Sequence, residues 1–390
     1  MSTQSEPSAV GFLDGVKVVD VTRLLPGGYC TMLLSDMGAE VVKVEQPGLG
    51  DYMRATPPTK GGRSPVHETA NRNKLSIGID LKKQAGKEIL RDLIRGADVF
   101  VEGFRPGAMG RLGFSFPAVR RLNPRIVYCS ISAFGQRSGH SSMPGHDINF
   151  QAMAGSLGYS RRPAVPLMQL GDMVSGMFAA LAILAALARK KGAVFIDVPI
   201  VQSLMSWMVI PASAYTATGR SPSEGDSLVF GSDPYYNLFR TSDGKYIAVA
   251  AIEERFWHNL VTALGVPSLE QKRFGNKRER AEVTRKLKKV FASKTRDEWA
   301  RLLMRKETCA TPVLTVAEAL DSDWSRSASL LAKVRGNGVV LNSPLKASVP
   351  LRSSPFTPAP SLGEHTNRIM HSLGYTSAEV SRLRKARVIS

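Results

Sequence analysis

Three short stretches of this 390-residue chain set ionisable groups among small or apolar neighbours: Gly145-His146-Asp147-Ile148-Asn149, Leu170-Gly171-Asp172 and Ala251-Ile252-Glu253. An imidazole and two carboxyl groups placed in that way suit proton transfer. Apolar surroundings bring a carboxyl's proton affinity toward neutrality, where one group can take a proton and another can give one. The residues read as an acid/base site.

Each residue also has a plainer reading. His146 follows Pro144-Gly145, a turn context, and an arbitrary loop histidine is satisfied by a backbone carbonyl. Two features favour chemistry at this one. The glycine admits close approach of a ligand, and the loop follows a strand expected at 126–132, beyond whose carboxyl end open parallel sheets bind ligands. Asp172 is placed to cap an apolar helix expected at 173–188. The unpaired N–H groups it would face there could also stabilise an oxyanion. Glu253 stands where a strand gives way to a helix, beside Glu254, an ordinary first-turn acid. Cys309 lacks a context that would lower its pKa and reads as a small buried residue. No Gly-x-Ser-x-Gly accompanies His146, which speaks against a serine hydrolase.

The elements that must carry these groups alternate. Strands are expected at 16–21, 40–44, 98–102 and 126–132, with helices at 29–37 and 82–95 between them. Such alternation implies a parallel sheet with right-handed crossovers, an α/β Rossmann-like layer. No Gly-x-Gly-x-x-Gly follows any strand, against a dinucleotide bound in the usual way. Residues 219–232, rich in Gly, Ser and Pro, read as a linker. Beyond them, alternating runs at 235–239 and 246–250 flank Asp243-Gly244, a hairpin signal, and a helical block extends from 255 to about 304. The expected organisation is a large α/β domain over 1–218, the linker, a smaller α+β domain over 233–325, and a return to the large domain over 326–390.

Composition narrows the class. The net charge is +19, yet the bases are spread along the chain without a helix-turn-helix, zinc finger or aromatic–basic motif. The charge therefore reads as attraction for anions, which a polyphosphate-bearing substrate would use as well as a nucleic acid. The missing motifs count against nucleic acid, and the charge itself does not decide. Three cysteines without paired spacing indicate neither a disulfide framework nor a metal site and fit a reducing cytoplasm. The polar start lacks the apolar core of a signal peptide. The apolar stretch at 173–188 falls short of the roughly 20 residues a membrane span needs.

Several motifs recur together in one known family. They are Gly15-Val16-Lys17-Val18-Val19-Asp20, Asp36-Met37-Gly38-Ala39-Glu40, Asn71-Arg72-Asn73-Lys74, Gly103-Phe104-Arg105-Pro106-Gly107, Lys191-Gly192, Gly363-Glu364-His365-Thr366 and Leu373-Gly374-Tyr375. Over nearly its whole length the chain resembles the class III CoA-transferase superfamily (CaiB/BaiF type), in particular its α-methylacyl-CoA racemase branch. The resemblance implies an interlocked homodimer of two-domain subunits acting on acyl-CoA, with no cofactor beyond the substrate's CoA moiety. It assigns His146 and Asp172 as opposed acid/base groups and Glu253, from the other subunit, as the histidine's assistant. By matching position, Lys43, Arg72, Lys82, Arg105 and Arg111 are candidates for the CoA phosphates. Gln46 departs from the family, where arginine is frequent. The implied reaction is a 1,1-proton transfer next to a thioester, with a bell-shaped pH profile. Two alternatives stand beside it: a CoA-transferase working through an Asp172 anhydride, and a non-catalytic basic binding protein.

Overall fold

The computed structural model describes residues 10–158, 164–189, 191–222, 231, 233–335 and 338–390. Most of the linker expected at 219–232 lies outside the described residues. The chain divides into two compact units. One is formed by the described residues up to 157 with 164–208 and 327–390, and the other by Gly158 with those within 209–326.

In the larger unit, strand β1 (Lys17–Asp20) is followed by helix α1 (Leu24–Asp36), β2 (Glu40–Glu45), α2 (Pro65–Ala70), β3 (Leu75–Gly78) and α3 (Gln84–Arg95). Then come β4 (Val99–Glu102), α4 (Ala108–Leu112), α5 (Phe116–Leu122), β5 (Val127–Ser132), α6 (Asp147–Met153), α7 (Leu170–Arg189), β6 (Val194–Pro199) and α8 (Ile200–Trp207). The six strands form one all-parallel sheet in the order β3-β2-β1-β4-β5-β6.

Strands this apolar need cover on both faces, and they have it. Val19, Val42, Phe100 and Tyr128 join a core with α3 and the chain's last residues, including Val388 and Ile389. Their neighbours Val18, Val41, Val101 and Cys129 point the other way, into a core with α1, α7 and α8. The period-2 alternation of a strand thus builds an α/β/α sandwich from uninterrupted valine runs. The C-terminal segment reaches the sheet edge, where Ile389 forms a β-bridge with Ile79.

Several elements depart from the sequence expectation. Helix α1 begins at Leu24 and not at 29, because Pro26 lies within its first turn, where the missing N–H costs nothing. The short strands β3 and β6 add to the four that the sequence predicts. Helix α7 spans 20 residues, so by length and composition it could cross a bilayer. Its buried face packs on α1, β5 and β6, and Asp172 lies inside its first turn instead of capping it.

The smaller unit opens with α9 (Val209–Thr218). A three-stranded antiparallel sheet follows, β7 (Tyr236–Arg240), β8 (Tyr246–Ala250) and β9 (Ala310–Pro312), in that order. Helices α10 (Glu254–Ala263), α11 (Lys277–Phe291) and α12 (Arg296–Leu303) cover it around Phe239, Trp257, Leu287, Phe291 and Trp299.

Candidate active site

Sheet order reverses between β1 and β4, so the loops leaving their carboxyl ends diverge and leave a crevice. The loop after β1 brings Arg23 and the first turn of α1. The loop after β4 brings Gly103 to Pro106, and the segment after β5 brings Ser141 and Met143 to His146. Together they enclose a cavity of about 690 Å³, within the roughly 300–1,000 Å³ usual for small-molecule sites. His146 and Asp172 both line it.

Helix α6 carries the first of these groups at its start. His146 is the N-cap residue, in extended conformation, and its amide donates to Asn149 Oδ1 at 3.0 Å. Its side chain stands exposed at the cleft. The next residue, Asp147, is buried and ties the two helices together. Its Oδ1 accepts from the Asp172 amide at 3.0 Å, and its Oδ2 accepts from Gln151 Nε2. Gly171 is what lets Asp147 come so near, since a Cβ there would lie 3.1 Å from that Oδ1 and 3.2 Å from Ile200. The Asp172 amide is thereby taken up by Asp147.

Burial raises the Asp172 carboxyl, and the adjacent Asp147 charge raises it further, to about 7. A carboxyl so tuned exchanges protons readily at neutral pH. Asp147 is thus a functional neighbour that a search for isolated ionisable groups passes over, although its place directly after His146 is the available signal.

Arg23 is a second neighbour that residue type does not single out. It lines the main cavity and another of about 170 Å³ that also contains Gln46, Lys82 and Phe104. Its guanidinium donates to Tyr52 Oη at 3.1 Å and to Gln46 Oε1 at 3.3 Å, and lies over the Tyr52 and Phe104 rings at 5.3 and 5.5 Å. Gln46 thus holds an arginine delivered from the end of β1. Its location just past a central strand's carboxyl end is the signal.

Two of the expected phosphate ligands need correction. Lys43 is fully buried, with Nζ 2.9 Å from Asp51 Oδ2 and 3.9 Å from Asp20 Oδ2, and it donates to the Thr22 carbonyl at 3.1 Å. Burial alone would lower its pKa; the charges of Asp20, Asp51 and Glu45 outweigh that and raise it. A second buried lysine, Lys74, donates to Thr31 Oγ1 at 2.7 Å and Asn71 Oδ1 at 2.9 Å, and burial, only partly offset by Asp20, lowers it to about 8. Arg72 is equally committed. Its Nε and Nη2 grip the Asp36 carboxylate, at 3.0 and 2.5 Å, and Nη1 donates to the Thr69 carbonyl. Both Lys43 and Arg72 hold the fold beneath the cleft, their donors turned to the protein and not to a phosphate. Lys82 and Arg105 are exposed and line the smaller and larger cavity respectively, whereas Arg111 is exposed on α4 and lines neither.

In the smaller unit Glu253 is the N-cap residue of α10 and is exposed, not enclosed by apolar groups as its neighbours suggest. Cys309 is exposed as well, with φ of 47°. Partial burial of its thiol raises the pKa, and the nearby Glu253 charge adds to this, the reverse of an activated nucleophile.

A sequence model described as CoA-transferase family III matches residues 13–366. The chain belongs to this family. Among family III relatives, human alpha-methylacyl-CoA racemase is 33% identical, with 97% of each chain covered. Human succinyl-CoA:glutarate CoA-transferase is 30% identical over 99% of this chain and 92% of its own. Of solved structures, a CAIB/BAIF family protein from Brucella suis superposes with a TM-score of 0.82 at 28% identity, covering 93% of this chain and all of that one. Rv3272 from M. tuberculosis does so with 0.79 at 30% identity, covering 92% and 99%. The family comprises both racemases and CoA-transferases, so membership establishes an enzyme family and leaves the particular reaction to the site.

Proposed function

We propose that this family III protein inverts the α-carbon of 2-methylacyl-CoA thioesters, as an α-methylacyl-CoA racemase does. One observation carries the reading: an imidazole and a carboxyl raised to about 7 line the same cleft at the carboxyl edge of the sheet. A CoA-transferase needs the carboxylate alone. A two-faced proton transfer needs both. His146 takes the α-proton from one face, and the C–H electron pair passes into the thioester as an enolate. Asp172 then supplies a proton to the opposite face, and the reverse direction exchanges the two roles. Glu253, contributed by a second subunit, supports the imidazole. Exposed apolar residues support a homodimer: α9 buries none of its residues, with Val209 63% and Tyr215 55% exposed.

The transferase reading keeps the support of relatives such as succinyl-CoA:glutarate CoA-transferase. There the Asp172 carboxylate attacks the thioester carbonyl, CoA leaves as thiolate, and a mixed anhydride remains. The two readings part in deuterated water. A single enantiomer of a 2-methylacyl-CoA, incubated without acceptor acid, is expected to gain α-deuterium and lose optical purity. Absence of both, with acyl transfer to added carboxylates and hydroxylamine-sensitive labelling of Asp172, would establish the transferase instead.

For CoA recognition the reading takes Arg23, Lys82 and Arg105 as the available cations. Arg23→Ala should weaken inhibition by free CoA by about tenfold or more, because a hydrogen bond to a charged group contributes about 1.5–3 kcal/mol. Arg72→Ala should leave that inhibition within about twofold and cost about 3–5 kcal/mol of stability in denaturant unfolding, since it strands the buried Asp36. Equal loss of CoA affinity in both variants would return Arg72 to the phosphate site.

A further inference from the structure

A row of polar side chains runs from β4 to the edge strand β6, in a sheet where an apolar layer is the rule. Glu102 at the end of β4 lies in register with Ser130 on β5, and Ser130 with Asp197 on β6. Neighbours in parallel register share a face, so the three form a line just below the cleft. Glu102 and Ser130 are buried.

The row reaches both loops that wall the cleft. Glu102 Oε2 accepts from the Phe104 amide at 2.8 Å, which pins the loop after β4. On the other side Gln136 Nε2 donates to Ser130 Oγ at 2.8 Å, and the Gln136 amide donates to Asp197 Oδ2 at 2.8 Å. Gln136 sits early in the segment that leaves β5 and ends at His146. The turn before it favours Gly135, with φ of 82° and a Cβ position that would lie 3.0 Å from Pro199 and 3.2 Å from Asp197 Oδ2. Phe134, one residue earlier, packs edge-on against Phe150 of α6 and beside the His140 ring. Burial raises the Glu102 carboxyl to about 7, opposed by the hydrogen bonds from Ser130 and Phe104. A proton held at that position lets a carboxyl remain under the cleft floor without a cation beside it.

We infer that Gln136 and Glu102 are positioning residues: through Ser130 they clip the segment carrying His146 to the loop carrying Phe104, and so hold the imidazole in register with the opposite wall of the cleft. The inference rests on the racemase reading for its kinetic arm alone. Neither side chain lines the cleft, so each acts through the loops it fastens. Gln136 matters most, because its side chain and its amide both bond to the row at the start of the segment that ends at His146.

The test compares Gln136→Ala, Glu102→Ala and Glu102→Gln in the full chain. Misplacing a catalytic group by about 1 Å costs up to roughly 10²-fold, so Gln136→Ala and Glu102→Ala should lower kcat for inversion by about 10–100-fold, with KM within about twofold. Glu102→Gln should restore kcat to within about threefold, because its side-chain carbonyl can still accept from the Phe104 amide or the Ser130 hydroxyl, and its size is unchanged. Hydrogen exchange gives a readout independent of activity: amides at 133–146 should exchange faster in Gln136→Ala, with unfolding otherwise cooperative. Unchanged protection there overturns the inference whatever the kinetics show, as does a rise in KM at constant kcat. Faster exchange in a protein whose wild type inverts nothing would uphold the anchoring and reject the racemase reading.

Discussion

His146→Ala is expected to slow inversion of a 2-methylacyl-CoA by about 10²–10⁴-fold in both directions, the usual contribution of a positioned acid or base. Inversion needs a proton removed on one face and returned on the other, so either direction fails without the imidazole. Isotope exchange should fail selectively. The enantiomer whose α-hydrogen faces Asp172 still meets its base, and the same carboxyl, having traded its proton with D₂O, can return a deuteron to the same face. That enantiomer should take up deuterium with its configuration retained, while its mirror image stays protiated. Chiral chromatography with mass detection reads both quantities. Equal loss of exchange from both enantiomers would mean that the two groups do not serve opposite faces, and undiminished inversion would remove His146 from the chemistry. Acyl transfer through Asp172, if that is the reaction, should be indifferent to the substitution.

The fold is legible where a residue pattern has one physical outcome. Valine runs bounded by Gly and followed by amphipathic helices leave no stable option except a covered parallel sheet, and the alternation of Val18 with Val19 and of Val41 with Val42 between two cores is that outcome. Two strands stay hidden because their sequences are mixed. In β3, Leu-Ser-Ile-Gly is short and half polar, and Ser76 is buried only because its hydroxyl donates to Glu45 at 2.6 Å. In β6, Asp197 interrupts the apolar run and belongs to the row beneath the cleft. Long-range partners that satisfy polar groups leave no trace in local periodicity.

The same limit governs the charged groups. Lys43 and Arg72 are bases of the kind that bind phosphate, and nothing in their local sequence reveals that Asp51 and Asp36 will claim them. Conversely, Arg23 follows an ordinary Asp20-Val21-Thr22 and acquires meaning only because β1 lies at the switch point of the sheet. Residue type alone distributes cations over the surface, whereas topology decides which of them face a ligand.

Asp172→Asn should mirror the first variant: inversion lost by about 10²–10⁴-fold, with exchange surviving only in the enantiomer that faces His146. Unlike His146→Ala, it should also abolish any acyl transfer, so the pair of substitutions separates the two reactions. Asp147→Asn probes the tuning itself. The substituted side chain keeps an oxygen that can accept from the Asp172 amide, while the negative charge that helps raise Asp172 is gone. The sign follows from the proton each direction requires. When Asp172 acts as the acid it must be protonated, so the wild-type rate falls as pH rises through about 7. When it acts as the base it must be ionised, so the rate falls as pH drops through that value. Removing the Asp147 charge lowers the carboxyl's proton affinity, and both of these flanks should move to lower pH together, with the maximal rates little changed. The two flanks report the coupled site as a whole and are best followed as apparent values in both directions. Flanks that stay in place would show that burial alone sets the Asp172 proton affinity, and that Asp147 serves only to join the starts of α6 and α7.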